Sequence, residues 1–164
     1  MLNIAAVNAL ERHDFTNTFA RVFEHSPWIA ARTAAKRPFA DRSEFFDALR
    51  ETVMKAREEE KLCLIRAHPD LAGDASLTTE SKTEQSTAGL GNVSADEAAR
   101  FRTYNSEYRE RFGFPFVICA RQNKKEAILA AFPRRLQNSR QAEVEAALRE
   151  IFKIAELRLQ DLVE

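Results

Sequence analysis

Three side chains in this 164-residue chain have the types and spacing for anion binding or acid–base work: His68, Glu84 and Arg158. Val144, Leu148, Ile151, Ala155, Arg158 and Leu162 follow one another at steps of four, three, four, three and four, so a helix here puts Arg158 in the middle of an apolar stripe. A guanidinium turned inward has to be paired, because an isolated buried charge is costly even after relaxation. That leaves two readings of Arg158: a structural ion pair or snorkelling side chain, and an arginine that holds an anionic ligand.

Ser81, Glu84, Gln85 and Ala88 stand at i, i+3, i+4 and i+7, which brings three hydrogen-bonding groups to one helix face. Such a face is commonly solvated, but Glu84 and Arg158 are also two opposite charges able to line one cavity. His68 comes four residues after Leu64 and three after Ile65, which turns it inward where Pro69 must end a helix. It reads either as a satisfied core histidine or as an imidazole that exchanges protons near neutral pH.

Other chemistries find no foothold. No two His residues stand at ligand spacing with a carboxylate or Cys, so no metal site is expected, and His13 and His25 look like ordinary helix-end residues. There is no Gly-rich phosphate loop, GxSxG elbow or Cys–His nucleophile spacing. The 25 Lys and Arg residues balance 25 Asp and Glu residues, which argues against nucleic acid and against an anionic membrane as partners. Arg121, Lys124, Lys125, Arg134 and Arg135 form the most basic stretch and read as a solvated helix face.

Cys63 and Cys119 each lie in an apolar run and read as reduced core thiols, hence a reducing compartment. Met1 to Arg12 lacks a basic leader and a long apolar stretch, and no run of about eighteen apolar residues occurs, so the cytoplasm is the expected location.

The elements that must position these residues read as helices. Four Gly and five Pro leave little turn chemistry for a sheet, and the expected class is an all-α, single-domain helical bundle over residues 1–164. With Phe supplying 12 of the aromatics against two Tyr and one Trp, the core should be apolar. Asn3 and Asp14 can each cap a short helix, and Ser26-Pro27 can start a third running to about Lys36. Ser43 can cap a helix to about Ala56, with Phe45, Phe46, Leu49 and Val53 facing the core.

Residues 73–79 read as loop, 80–89 as a short helix ended by Gly89, and Ser94-Ala95-Asp96-Glu97 as a capping box opening a long helix through Phe112. Two further helices, 124–136 and 139–162, complete the chain. Between them Phe114 to Ala120 is the one short extended segment, apolar and β-rich in residue type. Its backbone groups must pair with another segment or with a ligand.

At His68-Pro69-Asp70-Leu71-Ala72, Ser81-Lys82-Thr83-Glu84-Gln85 and Phe114-Pro115-Phe116-Val117-Ile118 the chain resembles the OHCU (2-oxo-4-hydroxy-4-carboxy-5-ureidoimidazoline) decarboxylases. Glu24-His25-Ser26-Pro27-Trp28 and the stretch from Glu150 to Leu159 are similar to the same family, so the likeness covers nearly the whole chain. Gln122-Asn123 departs from it, lacking the Gly that many members carry just after the extended segment.

The resemblance implies an all-helical, cofactor-free enzyme that decarboxylates a small ureidoimidazoline to (S)-allantoin during urate breakdown. It places the catalytic roles on His68, Glu84 and Arg158. Substrate contacts fall on Pro69, Ser81 and Gln85 and on the backbone of Phe116, Val117, Ile118, Cys119 and Ala120. Members often form homodimers, although no coiled-coil seam in this sequence specifies one. Two other functions fit the same residues: a non-catalytic helical module binding a protein through the Glu84 face and the 121–135 stretch, and a lyase or hydrolase of another ureido compound.

Overall fold

The computed structural model describes residues 1–73 and 76–164. They form an all-α fold: α1 (Ile4–Ala9), α2 (Arg12–Phe19), α3 (Pro27–Thr33), α4 (Arg42–Met54), α5 (Glu58–Arg66), α6 (Thr79–Thr87), α7 (Ala95–Phe112), α8 (Lys125–Leu136) and α9 (Arg140–Gln160). Short 3-10 turns occur at Ala34–Lys36 and Ala120–Gln122. Among the described residues the β pairing is an isolated parallel bridge, Leu2 to Val163, and no helix is long and apolar enough to cross a membrane. Contacts gather the chain into two units, Met1–Leu64 with Phe152–Glu164, and Ile65–Ile151.

In the first unit the stripe foreseen on α4 is the core: Phe45, Leu49 and Val53 are fully buried, with Phe46 part-buried. Phe45 meets Phe19 edge-on at 4.8 Å and stacks on Phe39 at 4.8 Å, and Phe15 joins them at 5.3 Å. Burying each such ring is worth roughly 1.5–3 kcal/mol, which outweighs the modest propensity of the short helices that carry them. The chain ends are tied together by Leu2 N–H to the Leu162 carbonyl at 2.8 Å and Glu164 N–H to the Leu2 carbonyl at 3.0 Å.

The second unit is built on the inward face of α7, where Phe101, Asn105, Tyr108 and Phe112 recur at steps of four, three and four and are all buried. The Ser94–Glu97 capping box forms as expected, and Gly113 ends the helix with φ +79°, a conformation that a Cβ would strain. Phe116 stacks on Phe132 of α8 at 3.9 Å and stands edge-on to Tyr108 at 5.3 Å.

Several boundaries differ from the expectation, each for a local reason. Asp14 lies inside the first turn of α2, whose N-cap is Glu11, and there its charge faces the helix's positive end. Asp41, two residues before the expected Ser43, caps α4, its carboxylate accepting the Glu44 N–H at 2.8 Å. Ser26 precedes Pro27 as foreseen, but its hydroxyl donates to the Glu24 carbonyl at 2.9 Å instead of capping α3. The loop expected over 73–79 includes two positions outside the described residues, and its end is already helical, since Thr78 caps α6 by accepting the Ser81 N–H. Cys63 is exposed on α5, not in the core, while Cys119 is buried.

Candidate active site

His68, Pro69, Ser81, Glu84, Gln85 and residues 116–120 all belong to the second unit, and Arg158 belongs to the first. His68 is 7% exposed, just beyond the last turn of α5, with its N–H on the Ile65 carbonyl at 3.2 Å. The loop that follows is clamped by side chains of α6 and α7. The Gln85 carboxamide accepts the Ala72 N–H at 3.0 Å and donates to the Asp70 carbonyl at 3.3 Å. Asn105 donates to the Leu71 carbonyl at 3.0 Å, and Arg109 pairs with the Asp70 carboxylate at 2.8 Å.

These bonds hold Ala72 at φ +52°, a left-handed conformation costing an L-residue about 1–2 kcal/mol. The loop leaving His68 is therefore set by its surroundings more than by its own preference. Gln85, expected at the substrate, has both ends of its carboxamide on this loop.

The face read from the i, i+3, i+4 spacing of α6 is turned inward and not solvated, since Ser81, Glu84 and Gln85 are all buried. A buried carboxylate on a nine-residue polar helix requires that helix to be held firmly at both ends. Its C-terminal carbonyls are capped from α8's approach: the Lys125 N–H donates to Ala88 and the Lys124 ammonium to Thr87, both at 3.0 Å. α6 packs against the Ala120–Gln122 turn. Burial, reinforced by the nearby Glu150 and Glu84 carboxylates, pushes the Cys119 thiol up from its usual range.

That segment is buried from Phe114 to Ala120. Among the described residues no main-chain group of 114–118 bonds to main chain elsewhere. In place of a neighbouring strand, the Val117 carbonyl accepts from the Arg135 guanidinium at 2.6 Å, and the Cys119 carbonyl from the Asn123 side chain at 2.9 Å. The Asn123 side chain thus finishes the segment.

The basic stretch is exposed at Arg121, Lys124 and Arg134, as expected of a solvated face, but Lys125 and Arg135 turn part-buried. Lys125 pairs with Glu97 at 3.1 Å, and Arg135 with the fully buried Glu143 at 2.8 Å. Arg135 departs from that face because it lies in the last turn of α8 and meets Glu143 in the first turn of α9. Asn105 was also missed, although it interrupts the α7 stripe as Arg158 interrupts that of α9.

In the first unit Arg158 is 5% exposed, and its guanidinium reaches the Glu24 carboxylate at 2.9 Å and the Arg21 carbonyl at 3.1 Å. The inward direction read from the stripe is observed, and so is an ion pair. Among the described residues no three His, Cys, Asp or Glu side chains are grouped as a metal ion would need.

Buried carboxylate, amide and imidazole groups lie on an all-α scaffold, and comparisons with known proteins fix the family. The sequence pattern of OHCU decarboxylase matches residues 8–160, and the chain belongs to that family. The 2-oxo-4-hydroxy-4-carboxy-5-ureidoimidazoline decarboxylase of Haloferax volcanii is 41% identical over 160 residues, covering 98% of this chain and 95% of its own.

Two solved structures share the fold. An OHCU decarboxylase crystallised in the presence of (S)-allantoin superposes with a TM-score of 0.71 at 28% identity, over 84% of this chain and 91% of its own. An (S)-allantoin synthase gives 0.81 at 25% identity over the whole chain, which spans 54% of that longer protein.

Proposed function

We propose that this protein decarboxylates 2-oxo-4-hydroxy-4-carboxy-5-ureidoimidazoline to (S)-allantoin in urate degradation, with His68, Glu84 and Arg158 as the catalytic residues. Family membership across residues 8–160 supports treating 1–164 as one functional domain. The observation that carries the assignment is the inward face of α6: Ser81, Glu84 and Gln85 are buried together on a helix packed against the turn that ends a buried extended segment whose residues 114–118 have no main-chain partner among the described residues. A carboxylate beside peptide groups that make no sheet suits a small ligand rich in amides and acid–base chemistry.

The substrate's carboxylate stands on a ring carbon that also bears a hydroxyl and adjoins an unsaturated carbon–nitrogen unit. Loss of carbon dioxide leaves an electron pair on that carbon, and the adjoining unsaturation accepts it. The protein's task is then to orient the breaking bond and to stabilise shifting charge. His68 and Glu84 handle the hydroxyl proton, whose loss turns that carbon into a carbonyl, and the protonation of the adjoining carbon, which has taken up the electron pair, general acid–base help of the kind typically worth about 10²–10⁴-fold.

Arg158 takes anionic or carbonyl oxygens of the substrate. Pro69, Ser81, Gln85 and the backbone of 116–120 fix the ring so that the proton arrives on one face. Gln85 does so partly through the loop behind His68, to which its carboxamide is bonded. A cytoplasmic homodimer is the working form we propose, on the family's habit and on two thiols that form no disulfide.

The test follows circular dichroism during urate oxidation with the preceding hydrolase present. The protein should yield one allantoin enantiomer faster than spontaneous decay, and His68→Asn should lower that rate by about 10²-fold or more while remaining folded. A racemic product at the background rate would remove the decarboxylase assignment, and near-normal turnover by folded His68→Asn would remove His68 from the chemistry.

A further inference from the structure

The second unit contains a charged cluster that the chemistry above does not use. Glu143, in the first turn of α9, is fully buried. Its carboxylate accepts from the Tyr108 hydroxyl at 2.5 Å, from Arg135 Nε at 2.8 Å and from Asn138 Nδ2 at 2.9 Å. Burial and then the Glu143 hydrogen bond push the Tyr108 phenol well above its usual range, so it stays a donor.

Arg135 comes from the last turn of α8, so a cation stands at one helix's negative end and an anion at the next helix's positive end. The guanidinium is fixed three ways: by Glu143 at 2.8 Å, over the Phe116 ring at 4.1 Å, and by Nη1 on the Val117 carbonyl at 2.6 Å. A buried ion pair is a poor source of net stability compared with apolar packing of the same volume. What this one has that apolar packing would lack is a directed bond to one peptide group of the extended segment.

The geometry points to Arg135, Glu143 and Tyr108 as positioning residues for substrate binding. The cluster replaces the missing neighbouring strand, fixing the plane of the Val117 peptide and with it the direction of the peptide groups that follow, 118–120. This rests on the decarboxylase function proposed above, in which those peptide groups hold the substrate ring. A contact that holds the ring equally in ground and transition states appears in KM and leaves kcat alone. Lysine at 135 would keep the charge but cannot hold Glu143 and the Val117 carbonyl in one rigid plane.

The experiment compares wild type, Arg135→Lys and Tyr108→Phe on freshly generated substrate, each well below its own unfolding midpoint. Arg135→Lys should raise KM about tenfold with kcat within about twofold of wild type, and Tyr108→Phe should shift KM the same way by about two- to threefold. A merely structural role would lower apparent kcat with the folded fraction and leave KM in place. That pattern, or wild-type KM in folded Arg135→Lys, overturns the inference. If Arg135→Lys does not fold, an unchanged KM in Tyr108→Phe overturns it instead. A wild type that does not turn over removes the decarboxylase function and this inference with it, whereas an active wild type with unmoved variants removes the inference alone.

Discussion

Among the described residues each unit of the molecule contains a buried guanidinium–carboxylate pair, Arg135–Glu143 and Arg158–Glu24, and the two are built to different ends. Arg135 and Glu143 sit in a cluster where both carboxylate oxygens have protein donors and the guanidinium's further bond goes to the main chain of an extended segment. Arg158 and Glu24 meet at 2.9 Å, with a second guanidinium bond to the Arg21 carbonyl. The next residue, His25, is exposed, has φ +45° and places its imidazole 3.9 Å from the Glu24 carboxylate. Similar charges and similar burial thus frame a backbone in one unit and hold an arginine beside an exposed histidine in the other. Ion-pair chemistry alone does not separate scaffold from site; what does is where the remaining N–H groups and lone pairs go.

The comparison breaks most sharply at Glu143. Glu143→Ala leaves the Arg135 charge buried without its counter-ion and strips the Tyr108 hydroxyl and the Asn138 amide of their acceptor. A loss of about 3–5 kcal/mol is expected, which for a chain of this size lowers the thermal midpoint by roughly 10 °C or more. Thermal unfolding followed by far-ultraviolet circular dichroism checks it. A shift of only a degree or two would mean that the cluster is solvated in solution.

Arg158→Lys probes the other pair, with a smaller cost to folding and a larger one to chemistry. The ammonium can still meet Glu24, so the midpoint should move by only a few degrees, but the planar fork that also reaches the Arg21 carbonyl is gone. If Arg158 handles substrate oxygens, kcat/KM should fall at least about tenfold, roughly the worth of one charge-assisted hydrogen bond. Unchanged steady-state kinetics beside a clear loss of stability would make the two pairs alike, both structural.

What could be read from the sequence follows the same division. Arg158 announced itself because an apolar stripe of regular spacing surrounds it, and the α6 face did so through i, i+3, i+4 spacing. Arg135 could not be read that way, since Arg134, Lys124 and Lys125 are its near neighbours and its inward turn depends on where the next helix begins. Gln85 was legible as a polar residue on the inward face, but not as the clamp on Asp70 and Ala72, because a contact thirteen residues away across a loop has no period. Helices with strong caps, α7 above all, were legible nearly to the residue. The starts of α2 and α4 were not, because Glu11 and Asp41 compete there with Asp14 and Ser43 over a few residues of similar propensity.

The smallest effect is expected at a third pair, which serves as an exposed control for the two buried ones. Arg32, half exposed, forks onto Glu60 at 3.1 and 2.5 Å. That fork, followed by the Arg57 N–H, holds the Glu60 carboxyl down at about 2 from its ordinary 4.5. A carboxyl that binds its proton less readily when folded adds stability above its unfolded value, and loses it as pH falls through the folded one. The contribution should therefore be complete above about pH 4.5, fade between 4.5 and 2, and be gone below.

In Glu60→Gln the gap in unfolding midpoint from wild type should close across that window, and added salt should narrow it at neutral pH because the pair lies within reach of counter-ions. Glu51, held at about 2 by Lys36 and Lys55, titrates over the same range in both proteins and cancels from the difference. A gap that persists unchanged at pH 2, or that ignores salt, would mean Glu60 acts through packing, and the exposed pair would then belong with the buried ones.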